Sequence, residues 1–308
     1  MSTTTTTTDL PAWKQKAAAK REQVYARIPP EWRLPSPLPT PKNTHHWLQT
    51  SGHLSPQELS ITSHLSTRHL LNHLATSRLS AVDVVSAFSH RAALATQLIR
   101  CCTEMFFAQA IEEARGLDAF LAREGRVKGP LHGLPVSVKD GFDVEGFDST
   151  LGWVSLIGKP AEKDATLVGI LRGLGAVVFC ECSLLLSGCG GREGGPWDAA
   201  VHVVVWLMLF ICRQDQYPAV FDGKSCLSSP HLPLAARRHF HLRSGLEKSV
   251  PLLKKHHQMS DSYNHIFKQS VNAFDNQLIS GGSSGGEGAL VSRIRKQSRM
   301  VSLGHLGE

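Results

Sequence analysis

The residues best suited to chemistry lie in Ser280-Gly281-Gly282-Ser283-Ser284-Gly285-Gly286-Glu287-Gly288-Ala289-Leu290, where two adjacent hydroxyls sit inside a run of glycines. Glycine tolerates positive φ and lets backbone come close to a small ligand, and successive N–H groups in such a loop can hold an anion. A flexible Gly/Ser linker is the plain alternative. A second candidate is Gly129-Pro130-Leu131-His132-Gly133-Leu134-Pro135-Val136-Ser137-Val138-Lys139-Asp140, an apolar, strand-like run that delivers one lysine at its end. Desolvation lowers a lysine's pKa until the neutral amine can act as a base. Taken alone, Lys139 reads as a solvated strand-end lysine; beside a pair of loop hydroxyls it reads as their base.

These two motifs together resemble the amidase signature family, in wording closest to its fungal acetamidase-type branch. The resemblance runs from about Trp13 through Pro30-Glu31-Trp32-Arg33-Leu34-Pro35, on through Lys139 and Ser149-Thr150 to Phe179, and resumes from Asn264 to Val291. It implies an α/β fold with a mixed sheet flanked by helices, incomplete in this chain. It also implies a hydrolase that cleaves a carboxamide C–N bond to acid plus ammonia or amine, with no metal and no cofactor. In that family a lysine, a serine in a cis peptide and a nucleophilic serine form a proton relay. Carried over by motif, Lys139 is the relay lysine and Ser283 the bridging serine, while Ser284 and Gly282 belong to the substrate-binding part of the loop. The implied substrate is a small amide.

The family's nucleophile sits in a further loop, Gly-Thr-Asp-Ile-Gly-Gly-Ser, whose N–H groups also form the oxyanion hole. After Val291 this sequence instead reads Ser292-Arg293-Ile294-Arg295-Lys296-Gln297-Ser298-Arg299-Met300, and neither Ser298 nor Ser302 lies in a comparable loop. The expectation is therefore a shortened copy that holds the lysine and relay serine, with an inactive remnant as the alternative. Two other motifs fail. Gly223-Lys224-Ser225 ends like a phosphate-binding loop, but that motif needs a glycine where Pro218 stands. Gly282-Ser283-Ser284-Gly285-Gly286 fits a nucleophile elbow, yet the acid and histidine that fold requires downstream appear only as His305 and Glu308, in the wrong order.

The chain is basic, with 33 Lys+Arg against 26 Asp+Glu, but the excess is dispersed and forms no patch with interleaved aromatics, so no nucleic-acid partner is expected. Seven cysteines, an odd number, suggest reduced thiols. Cys180-Glu181-Cys182 with Cys189 matches no zinc spacing, and ordinary buried thiols are expected. The N-terminal threonine tract has neither a basic region nor an apolar core, so no secretory signal is read and a cytoplasmic location is expected. The apolar run from Ala199 to Phe210 is too short to span a bilayer. Oligomeric state is not legible.

The elements that must position the candidates follow from periodicity. Residues 1–60 read as a polar, proline-punctuated arm with a helix over Trp13 to Ala26, and residues 61–183 as the amidase-like part. Ser80 caps a helix from Ala81 with Val84, Phe88 and Ala92 on one face. A second helix carries Ile111, Ala114, Leu117 and Leu121 inward and ends near Gly125. The strand Leu134 to Lys139, a helix over Asp164 to Leu174 and a strand Ala176 to Phe179 predict a parallel pair. Residues 184–260 hold neither a period of 2 nor of 3.6 and read as a divergent, loosely packed segment, before the Gly-Ser-Ser-Gly loop and tail at 261–308.

Overall fold

In the computed structural model, which describes residues 10–182, 263–280 and 285–291, the long helix expected after Ser80 is buried along most of its length. Helix α1 spans Ala12–Ala26, α2 Thr44–Thr50, α3 Pro56–Leu59, α4 Thr67–Ala75 and α5 Ala81–Ile99. Strand β1 (Cys102–Met105), α6 (Phe107–Glu124), β2 (Pro135–Lys139), α7 (Thr166–Gly173), β3 (Val177–Cys182) and α8 (Gly285–Val291) follow.

The start of α5 is doubly capped. Ser80 Oγ accepts from the Asp83 N–H at 2.9 Å, as the Ser-x-x-Asp pattern predicts. Asp118 of α6 accepts from the Ala81 and Val82 N–H groups at 2.7 and 3.1 Å, which ties the two helices together. Val84, Phe88 and Ala92 are buried, and burial continues round most of the helix. Helix α6 buries Ala114 and Leu117, keeps Ile111 at the core's edge, and stops at Gly125 in the left-handed conformation.

The sheet has the order β1-β3-β2. Strands β2 and β3 run parallel, joined through α7 as the strand-helix-strand pattern predicts. Two features differ from the sequence reading. Strand β3 runs on to Cys182 rather than stopping at Phe179. An unpredicted strand, β1, pairs antiparallel along its other edge, with a bulge between Cys102 and Glu104. Four residues that carry a charge in their middle leave no alternation to read, and only the neighbouring strand defines them.

Residues 10–60 also differ from a polar arm. Val24 and Ile28 enter the main core, and Leu34, Leu48 and Leu54 pack with Leu94 of α5. Helix α1 buries Ala17, Lys20 and Val24 on one face, and the lysine there hides the apolar stripe from a sequence reading. All of 184–260, with the divergence expected there, lies outside the described residues. Among the described residues no helix is long and apolar enough to cross a membrane.

Candidate active site

Lys139 is the last residue of β2, half-buried, and lies opposite Cys182 of β3. The run before it explains the placement. Leu131 N–H donates to the Leu174 carbonyl (3.0 Å), Gly133 N–H to Gly175 (2.8 Å), and Val177 N–H back to Leu134 (2.9 Å). Gly129 sits so close to that turn that a Cβ there would lie 2.5 Å from the Leu174 oxygen. The glycines of this motif thus fix the register in which β2 meets β3, and register carries the lysine to the strand end.

Asp140 continues the strand ladder, its N–H donating to the Cys182 carbonyl at 3.0 Å. Its carboxylate accepts from Thr150 Oγ (3.2 Å) and Leu151 N–H (3.1 Å). Burial pushes the Asp140 pKa up to about 7, against the lowering effect of those hydrogen bonds. Ser149, beside Thr150, keeps a buried hydroxyl with no hydrogen-bond partner.

Beneath this end of the sheet lies a charged cluster that sequence reading missed. Glu104 of β1, 1% exposed, is ion-paired with both Lys20 of α1 and Arg27 just beyond its end. Lys20, 2% exposed, also reaches Asp148 at 2.8 Å. Asp148 accepts in addition from Gly158 N–H at 2.9 Å, and its pKa is held below the usual carboxylate value by these partners despite burial. Glu181 of β3 pairs across the sheet with Glu104, and both its carboxylate oxygens are buried without hydrogen-bond partners. Burial, reinforced by Asp140 and Glu104, raises its pKa well above the ordinary value. The one available signal was a glutamate inside each of two otherwise apolar or thiol-bearing strands, at Glu104 and Glu181.

Gly282, Ser283 and Ser284 lie outside the described residues; their flanks do not. Ser280 is anchored by its hydroxyl to the Ser270 carbonyl (3.1 Å), and Ser270 Oγ donates in turn to the Arg100 carbonyl (2.6 Å). On the other side α8 sets Ala289 and Leu290 into the main core and packs against α5, β1 and β3. Ser280 and the pair Ala289 and Leu290 are thus each tied to the described core.

A mixed sheet with a strand-end lysine, flanked by helices and followed by a glycine-rich serine loop, defines an α/β protein of the amidase-signature fold. The chain resembles the amidase family, whose family model matches residues 83–191. It is 39% identical over 173 residues to the acetamidase of Emericella nidulans, covering 56% of this chain and 31% of that one. A protein of Curvularia clavata provisionally named amidase kk1C is 33% identical over 285 residues, 92% of this chain and 40% of its own length. Among solved structures, fatty acid amide hydrolase superposes with a TM-score of 0.64 at 25% identity, covering 92% of this chain and 38% of that one. The chain thus spans two fifths or less of the length of these relatives.

Proposed function

We propose that this chain carries the proton-relay part of an amide-hydrolysing site, with Lys139 as the base and Ser283 as the bridging hydroxyl. The observation that supports the reading is the position of Lys139, at the end of a parallel strand inside the segment that matches the amidase family model. A half-buried amine can be neutral, accept the proton of Ser283 and so let that serine take one from a nucleophile. The same chain of groups then returns a proton to the leaving nitrogen as the C–N bond breaks. Ser284 and Gly282 contribute hydroxyl and backbone N–H to the amide's carbonyl side. The substrate class is a small carboxamide, and the products are a carboxylic acid and ammonia or an amine.

A second reading is an inactive, binding-only remnant. It is favoured by the wording of residues 292–308, which departs from the family's. Removing a single oxyanion donor costs about 10^2–10^3 in rate. For this polypeptide by itself we expect hydrolysis of acetamide and benzamide no faster than that of its Lys139→Met variant. Turnover that Lys139→Met and Ser283→Ala both abolish would instead establish the working relay. Turnover indifferent to both substitutions would sink both readings.

A further inference from the structure

The thiols on the sheet are not used by the proposed relay, and their arrangement has a chemistry of its own. Cys180 and Cys182 are two residues apart in β3 and so leave the sheet on one face, with Glu181 on the other. Cys102 of β1 is the direct partner of Cys182, which places it on that same face. The bulge after Cys102 re-aims β1, so that Glu104 turns to Glu181 while Cys102 stays with the thiols. The three sulfurs lie within 4.8 Å of one another, and all three residues are buried. Met105 is the partner of Cys180 in the ladder and adds a thioether to this face.

We infer that Cys102, Cys180 and Cys182 form a buried three-sulfur site for a soft monovalent metal ion, Cu(I). Three converging sulfurs in a dry setting suit Cu(I), whereas a structural Zn²⁺ site closes with four ligands. The fourth cysteine of the neighbourhood, Cys101, approaches Cys102 at 3.9 Å between sulfurs but lies outside the converging set. Binding replaces thiol protons by the ion without change of oxidation state: Cu(I) enters as Cu(I), S–Cu bonds form, and the displaced protons go to solvent. A cavity of about 270 Å³, bounded by Tyr25, Gln97, Met105 and Phe267, reaches Cys102 and offers a route in.

The test is competition for Cu(I) between the reduced full-length chain and a chromophoric Cu(I) chelator, without oxygen. One equivalent should pass to the protein. Cys102→Ser, Cys180→Ser and Cys182→Ser should each weaken uptake by more than about tenfold, while Cys189→Ser, Cys212→Ser and Cys226→Ser combined should leave it unchanged. X-ray absorption on the copper-loaded wild-type chain needs no variant to fold, and it should show a shell of sulfur alone with three donors. No uptake by the reduced protein, equal loss in the combined control variant, or nitrogen donors at the copper would each overturn the proposal.

Discussion

At the scale of single residues the molecule keeps ionisable groups where apolar ones would pack more cheaply. Asp140 shows what that does to stability. Its pKa is about 7 in the fold against 3.8 for a free carboxyl, so the folded state holds a proton that the unfolded chain has already released. Its contribution is therefore fully present below about pH 4, fades as pH rises, and is lost above about pH 7, a change on the order of 4 kcal/mol at most. Asp140→Asn, which keeps the shape and stays neutral, should remove that slope. Denaturant unfolding at a series of pH values between these limits should show the variant gaining on wild type as pH rises. Lys20 is the converse case, a buried cation shared by Glu104 and Asp148. Lys20→Met leaves those acids short of a partner and should cost about 3–5 kcal/mol, whereas Lys16→Met, at an exposed position of the same helix, should stay within about 0.5 kcal/mol. Thermal or urea melts of the pair decide it; equal losses would show that helix α1, not the ion cluster, was disturbed.

At the scale of elements, the register of β2 depends on backbone contact rather than on side chains. Gly129→Ala would push a methyl into the Leu174 carbonyl, which is backbone and cannot swing aside. We expect a loss of about 1–3 kcal/mol, with altered amide shifts along β2 up to Lys139 by NMR. Gly116 is the control, since nothing lies within 4 Å of the added Cβ in helix α6. Gly116→Ala should stabilise by about 0.5–1 kcal/mol through helix propensity. The same comparison explains what was legible. Helices α5 and α6 announce themselves by caps and a 3.6 period, and β2 and β3 by apolar runs around a helix of the right length. Strand β1 and the last residues of β3 did not, because their content of Cys, Thr and Glu has no strand signature until a neighbouring strand supplies the ladder.

At the scale of the whole molecule, residues far apart in the chain close one core. Arg21 donates to the Ile266 carbonyl at 2.6 Å, His45 N–H to Ala273 at 3.0 Å, and Asn276 N–H to Lys42 at 2.9 Å. Ile266, fully buried, joins the same cluster as Val24, Val84 and Phe107. Ile266→Ala should therefore cost about 2–5 kcal/mol and shift a single cooperative urea transition shared by residues 10–182 and 263–280. A change confined to probes in 263–280 would mean that this segment folds apart from the rest.

Sequence alone made the candidate residues and most of the helices and strands around them legible. A lysine at the end of an apolar run and paired serines among glycines are local patterns, because strand ends and tight loops are specified by a few adjacent residues. Tertiary structure alone decided which buried groups meet. Lys20, Glu104, Asp148 and Glu181 come from a helix, two strands and a loop, and Cys102 meets Cys180 and Cys182 only because β1 pairs beside β3 with a bulge. Such clusters depend on strand order and register, which are set by long-range packing and hydrogen bonding and leave no fixed spacing in the chain.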